Sequence, residues 1–240
     1  GWLLANGLVS TDEVESIRGD IKNSIEQELQ VAAAAGAMEV DTAIELGDIY
    51  AVRQSAPQLV GDQVKLKDIR YIDAIQEGLK LSMEAHPNLV LMGQDIAEYG
   101  GAFKITEGFV QEFGKSRVRN TPLCESAILG TALGLSLEGY KSMVEMQFAD
   151  FVSVGLNQIV NNLAKIHYRW GQAADVVVRM PTGAGVGAGP FHSQSNEAWF
   201  VHTPGLKVVY PATPEDAKGL LIAAFNDPNP VIFFEHKRSE

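Results

Sequence analysis

Residues 141–181, KSMVEMQFADFVSVGLNQIVNNLAKIHYRWGQAADVVVRMP, decide the fold class. Short apolar runs, KSMVEMQ and DVVVRMP, stand at the two ends of the stretch, and a long helical segment separates them. A strand, a crossover helix and a second strand in this order form a parallel pair. Because both strands are almost entirely apolar, the stretch predicts a mostly parallel sheet that is covered by helices on both faces.

The same alternation of helices and apolar runs extends from Ile69 to the end of the chain. We predict further helices at 71–85, 106–114, 126–137 and 213–227, and further strands at 89–93, 117–120, 206–212 and 230–235. The sequence therefore predicts a three-layer α/β domain over residues 68–240. In such domains ligands bind beyond the carboxyl ends of the strands.

A helical extension precedes this domain. Ser10 and Glu13 form a candidate capping box, and apolar residues recur at helical spacing from Val14 to Leu29. We predict a helical tail over residues 1–35 and a linker over residues 36–67, where the periodicity fades.

Composition excludes several classes of function. The formal net charge of −11 argues against binding to nucleic acid or to anionic membranes. The single cysteine, Cys124, cannot form an internal disulfide or a cysteine-based zinc site. No apolar run reaches the ~18 residues that a membrane span needs.

Glu125 is the one carboxylate at the start of an otherwise apolar helix, in NTPLCESAILGTALGLSLEGY. An acidic residue in the first turn of a helix commonly serves the helix dipole alone. Burial at the mouth of an apolar helix would oppose the dipole and would suit proton transfer instead. The sequence leaves both interpretations open.

The glycine-rich loop MPTGAGVGAGPFHSQS carries the second candidate, His192. Its glycines follow neither nucleotide-binding pattern, so a mobile active-site loop is the preferred interpretation over a phosphate cradle. His192 is either a structural residue or a proton donor and acceptor. The residues alone thus predict an α/β domain with a candidate Glu–His site.

Five motifs, taken together, resemble one family: NTPLCES, EMQFADF, QIVNNLAK, FHSQSNEAWFVHTPGLKVV and NPVIFFE. They resemble, in order, the beta subunit of thiamine-diphosphate-dependent 2-oxo acid dehydrogenases, and the branched-chain (2-oxoisovalerate) branch more than the pyruvate branch. Residues 1–51 resemble the end of the alpha subunit of that family. The chain is therefore expected to be the junction of a fused alpha–beta polypeptide, without most of the alpha half and without the beta carboxyl-terminal domain.

The resemblance implies roles for individual residues. Glu125 matches the glutamate that hydrogen-bonds the aminopyrimidine of thiamine diphosphate and starts its activation. Leu123, Gln147 and Phe151 would line the pyrimidine pocket. His192 matches the loop histidine that assists transfer of the acyl group to lipoamide.

The resemblance also implies where ions bind. Magnesium and the diphosphate would be held by the alpha half, so no magnesium ligand is expected in this chain. A potassium ion is expected on the backbone of a set of residues near the last strand: Val176, Ala224, Asp227 and Asn229. One departure is Gln94, which stands where relatives commonly have glutamate and cannot relay a proton.

The resemblance predicts an oxidoreductase of branched-chain amino acid catabolism that is active only with its alpha half. Expected partners are that half, the lipoyl domain of the acyltransferase component and a second copy of the chain. Pyruvate as the substrate and a non-catalytic assembly module are the alternatives. The expected location is the cytoplasm of a bacterium, or the mitochondrial matrix of a eukaryote.

Overall fold

The computed structural model describes residues 1–53, 68–185 and 187–239. The chain divides into two compact units, Gly1–Ala43 and Ile44–Glu240. The predicted linker lies partly outside the described residues, at 54–67. Its described part contains the short helix α3, Thr42–Gly47.

The first unit consists mainly of one long helix. Helix α1 spans Trp2–Ala5, and helix α2 spans Thr11–Ala34. The predicted capping box is confirmed, because the Ser10 hydroxyl accepts from the Glu13 amide at 3.1 Å and the Glu13 carboxylate accepts from the Ser10 amide at 2.7 Å. No residue of α2 is buried, and several of its apolar side chains remain more than half exposed: Ile17, Ile21, Ile25 and Leu29.

The second unit is built on a six-stranded sheet with the order β2-β1-β3-β4-β6-β5. All of its strand pairs are parallel, which confirms the predicted fold class. The strands are β1 (Leu89–Gly93), β2 (Val118–Asn120), β3 (Lys141–Glu145), β4 (Val176–Thr182), β5 (Lys207–Val209) and β6 (Val231–His236).

Helices cover both faces of this sheet. Alternate strand residues enter two separate apolar cores, because successive side chains of a strand point to opposite faces. One core lies under α4 (Tyr71–Ala85), α5 (Phe109–Phe113) and α9 (Pro214–Phe225). The other lies under α6 (Glu125–Leu137), α7 (Ile166–Trp170), α8 (Ala198–Val201) and the segments that precede α7.

The prediction of one continuous helix over residues 149–171 is wrong. The structure has a 3₁₀ segment at Ala149–Gly155, a π-helical segment at Gln158–Leu163 and then α7. The Ser153 hydroxyl donates to the Asp150 carbonyl oxygen at 3.2 Å, three residues back, and so favours the tighter turn. Gly155, which lacks a side chain, lets the backbone depart further from a regular helix.

Helix α6 is apolar all round, but it is buried along one side only. Its buried residues are Ile128, Leu129 and Ala132, whereas Leu137 is 44% exposed. The uncovered side includes Ala127, Thr131 and Gly134. One face of an apolar helix therefore remains open to a partner.

A clasp formed by Tyr50, Ala51 and Asn229 ties the start of the second unit to its sheet. The Asn229 side chain accepts from the Ala51 amide at 2.8 Å and donates to the Ala51 carbonyl oxygen at 3.0 Å. The Tyr50 hydroxyl donates to the carbonyl oxygen of Leu206 at 3.1 Å. The Asn229 side chain thus forms hydrogen bonds with both the N–H and the C=O group of Ala51, as the backbone of a neighbouring strand would.

We expect Asn229→Ala to release this clasp. The variant loses two hydrogen bonds to Ala51 and one to Asp227, so the free energy of unfolding should fall by about 1–3 kcal/mol. Thermolysin cleavage between residues 44 and 53 should become faster than in the unsubstituted protein. Asn161→Ala removes an exposed asparagine and is the matched control. Equal cleavage rates for the two variants would contradict the clasp.

Candidate active site

The candidate site lies where the strand order of the sheet reverses. The chain places β2 on one side of β1 and β3 on the other, which makes the β1–β3 junction the switch point at which α/β sheets bind ligands. Gln94 follows β1, and Gln147 lies two residues beyond β3. Their side chains therefore reach the same edge of the sheet.

Hydrogen bonds link Gln147, Gln94 and Glu125 at this edge. Gln147 Nε2 donates to the carbonyl oxygen of Gln94 at 3.3 Å, and Gln94 Nε2 donates to Glu125 Oε1 at 3.3 Å. Gln94 is 6% exposed, whereas Glu125 is half-buried. The structure thus links Glu125 and Gln147 through Gln94.

Glu125 is the first residue of α6, and the 3₁₀ segment packs closely against this turn. A Cβ added at Gly155 would lie 2.3 Å from Leu129 Cδ1 and 3.5 Å from the Glu125 carbonyl carbon. A side chain at position 155 would therefore require Leu129 to move, and glycine permits this close approach.

An open groove of about 540 Å³ adjoins Glu125. Its lining includes Leu123, Val154 and Gln158. Leu123 is 83% exposed and Val154 is 64% exposed, so the mouth of the groove is apolar. Leu123 and Glu125, both predicted as cofactor-binding, thus share one groove.

His192 stands among aromatic rings. Its ring packs edge-on against Phe148, with centroids 4.9 Å apart, and against Phe151 at 5.3 Å. Phe148 and Phe151 are themselves 5.5 Å apart. The structure therefore unites two predicted residues, His192 and Phe151, and adds Phe148. Phe148 directly follows Gln147 and so links this cluster to the groups around Glu125.

The loop that carries His192 is fastened immediately after the histidine. The Gln194 amide donates to Asp150 Oδ1 at 3.0 Å, and the Thr182 hydroxyl donates to the Gln194 carbonyl oxygen at 3.1 Å. Asn196 Nδ2 donates to the carbonyl oxygen of Ala149 at 3.0 Å. The glycine-rich part of the loop thus ends at a firm anchor that places His192 over Phe148.

The residues predicted to bind potassium lie apart from Glu125. Val176 begins β4, at the amino end of the strand, and Ala224, Asp227 and Asn229 follow along α9 and the turn after it. Burial would raise the pKa of Asp227, but hydrogen bonds from Lys207 and Asn229 lower it. Ala224 already accepts from the Asp227 amide at 3.2 Å. The potassium site stays a prediction.

Comparison with known proteins decides the family. A family model described as "Transketolase, pyrimidine binding domain" matches residues 67–239. The chain belongs to this family. Among solved structures, "Split gene transketolase, inactive beta4 tetramer" aligns with a TM-score of 0.57 at 20% identity, over 71% of this chain and 52% of that one. At this identity the likeness concerns the fold alone.

Curated relatives are more similar in sequence. The chain is 49% identical over 173 residues to the 2-oxoisovalerate dehydrogenase subunit beta of Bacillus subtilis, covering 70% of this chain and 52% of that protein. It is 41% identical over 184 residues to the pyruvate dehydrogenase E1 component subunit beta of Leifsonia xyli, covering 76% and 55%. The chain spans about half the length of these relatives.

This transketolase pyrimidine-binding domain contains an ion cluster that the sequence did not reveal. Arg179 Nε donates to Glu235 Oε1 at 2.6 Å, and Arg179 Nη1 donates to Glu145 Oε2. All three side chains are at most 2% exposed, and Glu145 Oε1 has no hydrogen-bond partner among the described residues. Burial raises the pKa of Glu145, the Arg179 guanidinium opposes this shift, and the Glu235 carboxylate adds to it.

We expect Glu145→Gln to change the pH dependence of stability. Because the folded-state pKa of Glu145 is raised from its ordinary value of 4.5, its stabilising contribution is complete below that pH and is lost as the pH rises. The variant cannot ionise, yet its amide oxygen still accepts from Arg179. As the pH rises from about 5 to about 8, the unfolding free energy of the variant should therefore increase relative to that of the unsubstituted protein.

Urea denaturation across this pH range measures the difference. Glu138→Gln, which removes an exposed carboxylate at the end of α6, is the control and should show little change with pH. A constant difference between the Glu145 variant and the unsubstituted protein would contradict a raised pKa.

Proposed function

We propose that this chain is the pyrimidine-binding part of a branched-chain 2-oxo acid dehydrogenase, which decarboxylates 2-oxoisovalerate-type acids and acylates lipoamide. The observation that carries the proposal is the position of Glu125. Glu125 is the first residue of an apolar helix. Its half-buried carboxylate accepts a hydrogen bond from Gln94 and borders a groove at the switch point of the sheet. The similarity to 2-oxoisovalerate dehydrogenase beta subunits supports the same assignment.

The residues at this edge fit an aminopyrimidine. Leu123 and Phe151 offer apolar surface to a flat ring, and the Glu125 carboxylate can hydrogen-bond a ring nitrogen. Thiamine diphosphate, when bound, supplies the nucleophilic carbon and the electron sink for decarboxylation. The assignment of its diphosphate and magnesium to the alpha half rests on the family resemblance alone.

Glu125 is assigned the role of holding and returning a proton at the pyrimidine. A carboxyl group at the mouth of an apolar helix is partly shielded from water, which suits repeated proton exchange. Gln94 supports this role by holding Oε1 of Glu125 in a fixed direction. Gln147 in turn orients the backbone of Gln94.

His192 is assigned to the transfer of the acyl group. When lipoamide accepts the group, its S–S bond breaks, one sulfur takes the acyl group and the other must take a proton. His192 lies on a glycine-rich loop beyond β4, where a donor for that proton could meet a lipoyl arm.

The open face of α6 is assigned to a protein partner. Apolar and small residues remain uncovered along it, among them Leu123, Ala127, Gly134 and Leu137. A Cβ added at Gly134 would meet nothing within 4 Å, so an incoming element has room there. We assign this surface to the alpha half, and we propose a closed two-fold assembly for the complete enzyme.

Pyruvate is the second candidate substrate, because the chain is also 41% identical to a pyruvate dehydrogenase beta subunit. Turnover of the complete enzyme with pyruvate and with 2-oxoisovalerate distinguishes the two. A higher kcat/KM for pyruvate would reverse the substrate assignment while keeping the reaction class.

We expect Glu125→Gln in the complete alpha–beta enzyme to lower kcat for decarboxylation by at least ~100-fold, the scale of lost acid–base catalysis. Glutamine keeps the size and the hydrogen-bonding oxygen but cannot exchange the proton. Dye-linked decarboxylation of 2-oxoisovalerate is the measurement.

Glu138→Gln, at the other end of the same helix, serves as the control and should remain active. Near-normal turnover of the Glu125 variant would favour a non-catalytic assembly module over the proposed enzyme.

A further inference from the structure

Lys237 is a buried lysine next to the candidate site. It directly follows β6, and its backbone amide donates to the Thr182 carbonyl oxygen at 3.0 Å, which extends the pairing of β4 and β6. Only 5% of the residue is exposed. Lysine is rarely buried unless its ammonium group has partners, because removal of the charge from water is costly. The partners of this ammonium therefore indicate why the residue stands there.

The ammonium group of Lys237 contacts both sides of the aromatic cluster. It donates to the backbone carbonyl oxygen of His192 and lies 4.8 Å from the centroid of the Phe148 ring. Phe148 packs edge-on against the imidazole of His192. One cation thus contacts the main chain of the histidine and the ring against which its side chain rests.

The backbone of Lys237 also meets the glycine-rich loop. A Cβ added at Gly185 would lie 2.7 Å from the Lys237 carbonyl carbon, so the loop passes directly over this residue. The loop therefore passes close to Lys237 at Gly185, and hydrogen bonds fasten it to Lys237 at His192 and to Asp150 at Gln194. Of these, the bond to His192 is the one made at the functional residue itself.

We propose that Lys237 is a positioning residue that holds His192 in register with Phe148 and Phe151 for acyl transfer. This inference rests on the role proposed for His192. Lys237 does not touch the groove beside Glu125, whose lining is Leu123, Cys124, Ser126, Ala127, Gly130, Val154 and Gln158. Its loss should therefore impair the step that uses the loop and spare the step that uses Glu125.

The test compares three variants of the complete enzyme. Lys237→Met keeps an unbranched side chain of nearly the same length but removes the charge and the donors, and Lys237→Arg restores both. Lys80→Met, which removes a surface lysine paired with Glu112, is the control. Dye-linked decarboxylation reports the first half-reaction, and reductive acylation of a free lipoyl domain reports the second.

We expect Lys237→Met to slow reductive acylation by at least ~10-fold, within the range that small misplacements of a catalytic group produce. Dye-linked decarboxylation should stay within about twofold of the unsubstituted rate, because Glu125 is untouched. Lys237→Arg should recover most of the acylation rate. Equal losses in both half-reactions, or no loss in either, would overturn the proposal.

Hydrogen exchange provides a readout that is independent of turnover. The His192 amide donates to the Gly189 carbonyl oxygen at 3.2 Å, so its exchange reports the order of the loop. We expect faster exchange over residues 187–193 in Lys237→Met and unchanged exchange in Lys80→Met. Unchanged exchange in the Lys237 variant would refute the positioning role. An unsubstituted enzyme that decarboxylates no 2-oxo acid would refute only the proposed function.

Discussion

The ion cluster of Arg179 with Glu145 and Glu235 is the interaction on which the site depends. Each of its members stands at or near the carboxyl end of a strand, on β4, β3 and β6 respectively. The residues of the candidate site lie just beyond these strand ends along the chain: Gln147 and Phe148 after β3, the glycine-rich loop after β4, and Lys237 after β6. A buried guanidinium between two carboxylates fixes these three strand ends relative to one another. Removal of Arg179 would leave two buried carboxyl groups without their cation, and breaking a buried ion pair in this way typically costs about 3–5 kcal/mol.

The cluster also explains why part of the site escapes prediction from the sequence. Helix α4 and strand β1 were predicted with their observed bounds, because their periodicity and their flanking residues are local signals. The approach of Arg179 to Glu235 depends on the register of β4 and β6. In this register Pro181 lies opposite Glu235, so Arg179 is two residues away on the same strand as Pro181. The same limit applies to the clasp, which joins Ala51 to Asn229 across a separation of 178 residues.

The broken helix after β3 shows a second limit. The amphipathic pattern of residues 149–171 resembles that of a regular helix, yet the chain there changes from 3₁₀ to π to α geometry. A local and a tertiary contact accompany this change: the Ser153 hydroxyl donates to the Asp150 carbonyl oxygen, and Gly155 lies close to Leu129 of α6. The roles of Glu125, Gln147, Phe151 and His192 stay predictions from the resemblance. The structure adds the contacts that Lys237 makes with His192 and with the Phe148 ring.

The two groups of candidate residues are held in different ways, and this difference bears on their proposed chemistry. Glu125 is fixed by a regular helix and by Gln94. His192, which lies on a loop, is fixed by the ring of Phe148 and by Lys237. Gln94 donates to Oε1 of Glu125, and its amide group cannot accept a proton from that oxygen as a carboxylate could. The proton that Glu125 is proposed to exchange must then come and go on the side of the groove, where Leu123 and Val154 surround the opening. Closure of that groove by the alpha half would therefore control both access to Glu125 and its exchange of protons with water.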